Sequence, residues 1–284
     1  MGISRIISAS RRTDIPCCYP EWLIKRLTEG FCEVSNPYNA RMVRRVSLLP
    51  GDMDALILWS KNPSPLLPYK EFLSAYPYML EYTINDMPKS VEPHLPPLGE
   101  RIETLLRFSE LIGPSRVIWR YDPIAYTPEI GFEAHAEKFY RIARAVSGAC
   151  ERCVISFLDV YPNLKKRMET AGLYPPDQKD MHALAKVLSD IGRAFGITLS
   201  ACAEAEDFSK DGLLVKGCLD ADDISRALHK TISAERDKNQ RNRCLCISSV
   251  DIGRYGTCTN SCAYCYANRS AHIEKADNAD KPAL

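Results

Sequence analysis

Short apolar runs alternate with longer amphipathic ones along most of this chain, and that alternation restricts the fold more than any other feature. Strands are expected at 5–9, 55–59, 78–83, 116–119, 153–158, 198–201 and 245–250. Each is rich in Ile, Val, Leu or aromatics and is bounded by Pro, Asp, Asn or Gly. Helices are expected at 21–29, 100–112, 132–146, 164–170, 178–195 and 221–234. In the fifth helix, Asp177 is placed to cap the N-terminus, and Met181, Leu184, Leu188 and Ile191 recur on one side. Gly196 then stands where a left-handed cap ends a helix. Strands separated by helices pair in parallel, since each helix carries the chain back across the sheet. Six or seven such units fit an α/β fold of the TIM-like type, a full or partial (β/α) barrel, better than a small open sheet. One domain is expected over 1–274, including a metal-binding segment at about 202–268, with a polar, disordered tail at 275–284. A separate metal domain beginning near Cys202 is the alternative.

Composition narrows the function classes. The formal net charge is +1, so no overall basic field points to nucleic acid. No apolar run approaches the roughly 20 residues that span a bilayer, and the first residues lack the apolar core of a signal peptide. A cytoplasmic setting follows as the expectation, so the 12 cysteines should be thiols or metal ligands rather than disulfides. Neither a Gly-x-Gly-x-x-Gly loop nor a P-loop occurs.

In parallel α/β folds, sites gather at the C-terminal ends of the strands. Several expected strands here run directly into polar motifs. The first reaches Ser10-Arg11-Arg12-Thr13-Asp14-Ile15-Pro16, the second Trp59-Ser60-Lys61-Asn62-Pro63, and the fourth Trp119-Arg120-Tyr121-Asp122-Pro123. Arginine offers a planar fork for carboxylate or phosphate. Arg11, Arg12, Lys61, Arg120 and Asp122 are therefore the candidate catalytic ring, with Ser10, Asp14 and Asn62 as candidate cofactor contacts. Asn36-Pro37-Tyr38-Asn39 reads as a turn over the same rim. Each motif also has a structural reading: Asp14 and Asp122 suit helix caps or turns, and the Arg–Asp neighbours suit internal ion pairs.

The densest chemistry is near the C-terminus, where Cys258, Cys262 and Cys265 follow the spacing C-x3-C-x2-C. Thiolates select zinc, Cu(I) and iron–sulfur clusters. A four-iron cubane held by three cysteines keeps one iron open for a cofactor or substrate. Four further cysteines precede this loop: Cys202, Cys218, Cys244 and Cys246. If the 245–250 strand extends back through Cys244, alternation sends Cys244 and Cys246 to one side. Four plus three matches one closed site, a possible second [4Fe–4S] cluster, and one open site. Zinc is the alternative, with His272 or Cys244 or Cys246 completing the loop's three cysteines. Cys17, Cys18, Cys32, Cys150 and Cys153 show no ligand spacing and read mostly as packing.

The run from Asp251 through Cys258, Cys262, Tyr264 and Cys265 to Asn268 resembles the domain-of-unknown-function family numbered eighteen forty-eight. Ser10 to Pro16, Trp59 to Pro63, Trp119 to Ile124 and the Cys244/Cys246 pair look like motifs of the same family. That family's C-terminal cysteine cluster is similar to the N-terminal one of radical S-adenosylmethionine enzymes. The Tyr264-Cys265-Tyr266-Ala267 stretch is also similar, over a short span, to spore photoproduct lyase. The resemblance implies a [4Fe–4S] cluster on Cys258, Cys262 and Cys265, with S-adenosylmethionine on its open iron and Tyr264 near the adenine. It implies reductive release of a 5′-deoxyadenosyl radical, an electron donor such as a ferredoxin or flavodoxin, and an unidentified small-molecule substrate. The competing class is a non-catalytic zinc or iron–sulfur protein binding nucleic acid or a protein partner, for which basic stretches at 41–45 and 238–243 are the cue. Only 19 residues follow Cys265, whereas radical enzymes of this type carry the loop after the first strand. A circularly permuted barrel reconciles the two, with 245–250 as its first strand in space and 5–9 as its second. No clear Gly-Gly-Glu motif for the methionyl group is present.

Overall fold

The computed structural model describes residues 5–241, 243–268 and 279–284. Seven strands form one sheet: β1 (Ile6–Ala9), β4 (Ala55–Ser60), β5 (Tyr78–Thr83), β6 (Val117–Ile124), β7 (Arg152–Phe157), β8 (Thr198–Ala201) and β9 (Val250–Asp251). Across the sheet the order is β8-β7-β6-β5-β4-β1-β9, and every pairing is parallel. From β1 to β8 each strand lies beside its predecessor in the sheet, so the chain advances in one direction. The last strand, β9, instead pairs with β1, matching Ile7 to Val250 and Ser8 to Asp251.

One direction of advance with right-handed crossovers puts every crossover helix on the same face. That face carries α2 (Pro20–Glu29), α4 (Leu98–Ile112), α5 (Phe132–Ala145) and α7 (Gln178–Ala194). Trp22, Leu23, Phe108, Phe139, Ile142, Leu184 and Leu188 from these helices pack with Ile7, Leu56, Leu80, Trp119 and Ile155 of the strands. Trp119 stacks on Phe139 at 4.6 Å. Burial of each such side chain contributes roughly 1.5–3 kcal/mol. The opposite face is covered by the segment from Cys202 to Ile247, which includes α8 (Ala221–Leu228). Ile57, Trp59, Met79, Ile118 and Val154 pack there against Leu219, Ile224, Ile232 and Ile247. Coverage on both faces explains why β4, β5 and β7 read as continuous apolar runs without alternation.

The expected barrel does not close among the described residues; the structure is an open parallel sheet in an α/β fold. The outer edge of β8 is occupied by the 214 region, through a Ser200–Leu214 bridge and a bond from Leu214 N to Leu199 O at 2.8 Å. The other edge, β9, is two residues long. The strand expected at 245–250 shrinks accordingly, and Cys244–Cys246 lies outside it. Cys244 and Cys246 are nonetheless buried while Leu245 is 40% exposed, so the expected alternation survives in an irregular segment.

Three features escaped sequence reading. An antiparallel hairpin, β2 (Phe31–Asn36) and β3 (Asn39–Ser47), occupies the β1–β4 connection. Its tip is the Asn36–Asn39 turn, closed locally by bonds from Tyr38 N and Asn39 N to Asn36 Oδ1. Two short helices, α1 (Ile15–Cys18) and α3 (Lys70–Leu73), were also missed, while α6 (Lys165–Thr170) lies where a helix was expected. In the tail, residues 275–278 lie outside the described residues, but 279–284 are ordered against α2 and β2 rather than disordered. Trp22 Nε1 donates to Lys281 O at 2.9 Å and Glu33 N to Pro282 O at 2.8 Å. No described helix is long and apolar enough to cross a membrane.

His135 of α5 is buried, donating from Nε2 to Ala125 O at 2.9 Å and accepting the Tyr121 hydroxyl at Nδ1, 2.8 Å. Burial pushes its pKa from 6.5 down to about 4. A depressed folded pKa means the neutral ring's contribution is complete above pH 6.5 and disappears as pH falls through 4. We expect this group to account for roughly 3 kcal/mol of acid-side loss. Urea unfolding of wild type and His135→Gln at pH 7 and pH 4 checks it; parallel losses in the two proteins would remove His135 as the cause. At β9, a Cβ on Gly253 would stand 2.1 Å from Ser10 Oγ and 2.6 Å from Ser10 Cβ. Gly253→Ala should therefore cost about 1–3 kcal/mol, whereas Gly99→Ala, which meets nothing within 4 Å, should cost nothing. Equal chemical denaturation midpoints for the two variants would refute the tight β1–β9 approach.

Candidate functional site

The C-terminal ends of β1, β4, β6, β7 and β9 meet in one polar region, and Asp14 is its hub. It follows β1, caps α1 through Cys17 N at 3.1 Å, and accepts Ser60 Oγ at 2.7 Å and Lys61 N at 2.7 Å from the end of β4. Its Oδ2, which takes Lys61 N, also accepts Asn260 Nδ2 at 3.0 Å, which draws in the cysteine loop. Burial pushes the Asp14 carboxyl up to about 6, although all four hydrogen bonds pull the other way. The structural role of Asp14 is thus real, and it ties three chain segments together at the rim.

Asp251 of β9 is a second hub that sequence reasoning passed over. It accepts Ser10 Oγ at 2.6 Å, Arg11 N at 2.8 Å and Gly253 N at 2.9 Å, and lies 3.9 Å from Arg12 Nε. Ser10 is therefore engaged in shaping its own turn. Arg12 turns toward β9, with its guanidinium 5.5 Å from the Tyr255 ring. Asn62 is likewise local, accepting Ser64 Oγ at 2.7 Å to start the next helical turn.

Lys61, Arg11, Arg120 and Asp122 do converge. Lys61 Nζ donates to Glu92 Oε1 at 2.9 Å and Asp122 O at 3.3 Å, and lies 5.4 Å from the Tyr264 ring. Glu92 is 1% exposed and also takes the Tyr264 hydroxyl. Burial alone raises the Glu92 pKa, but Lys61 and Arg101 outweigh it and hold the carboxyl below its ordinary range. The guanidiniums of Arg11 and Arg120 both stack on Trp59, at 4.8 and 5.2 Å. Arg120 also bonds Asp122 and Glu81, the latter at 3.3 Å, and Ser156 donates to Asp122. Despite its burial, Arg120 and Ser156 keep Asp122 below the usual carboxylate range. Glu92 gave no signal in the sequence, and Trp59 stood in a motif without being singled out as a site residue. Only their positions in the folded rim expose them.

The C-x3-C-x2-C loop follows β9 and lies against this rim. Arg167 from α6 holds its backbone, donating to Ala263 O at 2.7 Å, Cys265 O at 2.6 Å and Asn268 O at 3.1 Å. Ala263 N donates to Val91 O at 2.9 Å, and Asn268 Nδ2 to Cys258 O at 3.1 Å. Cys258 and Cys262 are buried and Cys265 half-buried. Two cysteines read as packing stand beside the loop: Cys17 Sγ donates to Asn260 Oδ1 at 3.5 Å, and Thr259 Oγ1 donates to Cys18 Sγ at 3.2 Å. A hydrogen bond with Cys18, followed by burial, pushes the Cys258 thiol far up, burial pushes Cys262 far up, and burial also raises Cys265. Bare thiols here stay protonated, and a bound metal would supply the positive charge that ionises them.

The other four candidate ligands assemble separately. Cys202 and Cys218 sulfurs lie 2.8 Å apart, and Cys246 Sγ lies 3.5 Å from Cys218 Sγ. Cys244 adjoins Cys246 through a sulfur hydrogen bond. Cys202, Cys218, Cys244 and Cys246 thus stand together, apart from the loop of Cys258, Cys262 and Cys265. Among the described residues no three His, Cys, Asp or Glu side chains already stand as a group that could hold a metal ion. His272, the alternative zinc ligand, lies outside the described residues. The donors themselves fit a soft metal: the loop brings three thiols to a rim that already holds cations.

No match was found among curated proteins or among solved structures. The sequence does match Domain of unknown function (DUF1848) over residues 6–267, nearly its whole length. With its motifs distributed from β1 to the cysteine loop, the chain belongs to that family.

Proposed function

We propose that this protein is a radical S-adenosylmethionine-type iron–sulfur enzyme built on a circularly permuted, open (β/α) barrel. The observation that carries this reading is the strand order. Begun at β9 and followed across the sheet, the order is β9-β1-β4-β5-β6-β7-β8, a single winding with the cysteine loop directly after its first strand. That is where the resemblance expects the loop, although the chain reaches it last.

In this reading Cys258, Cys262 and Cys265 hold the cluster. When bound, a four-iron cluster with one open iron supplies reductive cleavage of S-adenosylmethionine. The chain's own residues shape the surroundings. Arg167 and Asn260 hold the loop backbone against the rim, and Tyr264 closes over Lys61 with its hydroxyl on Glu92. Lys61, held on the buried Glu92, and Arg11 and Arg120, stacked on Trp59, bring cationic groups to the rim for an anionic group of cofactor or substrate. Asp14 and Asp251 set the positions of these groups without needing to touch a ligand.

The test is anaerobic reconstitution with iron and sulfide, reduction, and addition of S-adenosylmethionine. We expect an electron paramagnetic resonance signal that changes on adding S-adenosylmethionine, and formation of 5′-deoxyadenosine. Cys262→Ala should abolish both while leaving the far-ultraviolet circular dichroism unchanged. An intact reduced cluster whose spectrum ignores S-adenosylmethionine, with no 5′-deoxyadenosine formed, would count decisively against the proposal.

A further inference from the structure

The second thiol group stands apart from the loop just described, and its geometry has its own meaning. Cys202 follows β8, with its amide donating to Ile155 O at 2.9 Å. Cys218 lies just before α8, and Cys244 and Cys246 lie on the irregular segment leading toward β9. Sites so far apart in sequence do not bring four sulfurs together by local geometry. The backbone is built for the approach: a Cβ on Gly217 would fall 2.7 Å from Cys246 N and 2.7 Å from the Leu245 carbonyl carbon. Only glycine lets the loop bearing Cys218 lie flat on the segment bearing Cys246. Arg152 then holds that loop in place, donating to Gly217 O at 2.6 Å and to Ser200 Oγ at 2.8 Å.

The surroundings are those of an anionic centre. Leu219 N donates to Cys246 Sγ at 3.5 Å, and the Cys246 amide donates to Cys244 sulfur. Amide donors to sulfur favour thiolate over thiol and orient the ligands of metal–thiolate sites. Two cations, Arg11 and Arg120, stack on Trp59, which lies in the same buried cluster as Cys218, Cys244 and Cys246. Arg120 is already paired with Asp122 and Glu81, but Arg11 Nη2 is buried and makes no hydrogen bond. A donor left so is costly unless an anion stands opposite it.

We infer that Cys202, Cys218, Cys244 and Cys246 form a closed four-thiolate site for a single zinc ion. Tetrahedral zinc with bonds of about 2.3 Å sets its sulfurs roughly 3.8 Å apart. Contacts of 2.8 and 3.5 Å need only open slightly to meet that spacing. A cubane, whose ligands sit on four separate irons, would require them farther apart, so the geometry points to one ion rather than the second cluster expected from spacing. The site's role is structural. Between Cys202 and Asp251 the described regular elements are a single three-residue turn, α8 and the two-residue β9, yet this segment covers a whole face of the sheet. A metal joining its start, middle and end would hold it there, as structural zinc does where a core alone is too small.

The test uses untagged full-length protein carrying Cys258→Ala, Cys262→Ala and Cys265→Ala, so that the outcome is independent of the proposed catalytic cluster. Anaerobically purified, it should retain about one zinc per chain. Replacement by Co²⁺ should give the intense sulfur-to-cobalt absorption of a tetrahedral thiolate site. Cys246→Ser or Gly217→Ala added to this background should lower zinc retention at least about tenfold. Cys202→Ser, changing the half-buried ligand at the edge, does the same with the fold kept if Cys246→Ser fails to fold. Iron with stoichiometric sulfide in the triple variant would overturn the inference in favour of a cluster. A metal-free protein, with or without a Cys202–Cys218 disulfide in its peptide map, would overturn it outright.

Discussion

The buried carboxylate of Asp14 is the interaction on which the arrangement of the rim depends. It is reached from β1, yet its four hydrogen-bond donors come from α1, from the end of β4 and from the cysteine loop. Each charge-assisted bond is worth about 1.5–3 kcal/mol, but desolvation of the anion opposes them. Its pKa near 6 records that burial prevails. A raised folded pKa means the network's contribution is complete at acid pH and falls away as pH rises through 6. What Asp14 supplies near neutrality is therefore specificity of position more than stability, since donors from separate chain segments converge on one buried carboxylate.

Around that hub the molecule is asymmetric. One face of the sheet is covered by regular amphipathic helices, which gain their stability from repeated apolar contacts such as Trp119 on Phe139. The other is covered by a segment with little regular structure, anchored by polar devices instead. Arg152 reaches Ser200 and Gly217, Arg116 Nε donates to Ala227 O at 3.0 Å, and thiols cluster between the chain's last loops. Irregular backbone offers few repeating contacts, so point anchors of high strength take their place.

Much of the fold was legible from short-range pattern. The strand at Thr198–Ala201 and the helix over Gln178–Ala194, with Asp177 accepting Asp180 N and Gly196 at φ 72°, follow from apolar periodicity and capping chemistry alone. The hairpin β2–β3 was not legible, because its strand residues Cys32 to Ser35 and Arg41 to Ser47 mix charge with apolar side chains, although Cys32 and Val46 reach the core. The rim was legible in part. Lys61, Arg11, Arg120 and Asp122 converge, whereas Arg12, Ser10 and Asn62 are drawn into local turns by Asp251 and Ser64. Glu92 lies in no motif, and Asp251 and Trp59 stand in motifs that did not mark them as site residues, since a single carboxylate or ring acquires meaning only from what the fold sets beside it.

The sequence by itself determined the parallel α/β character, because apolar periodicity and helix caps act over distances of a few residues. It also displays the C-x3-C-x2-C spacing of Cys258, Cys262 and Cys265, which local order alone fixes. Tertiary structure decided the rest. It placed the last strand beside the first, since backbone hydrogen bonding at a sheet edge is indifferent to chain order. It kept the sheet open, since the 214 region pairs with the edge where closure would occur. And it separated residues that look alike in the sequence, setting Arg11 over the Trp59 ring and Arg12 beside Asp251, because adjacent side chains leaving one turn point in different directions.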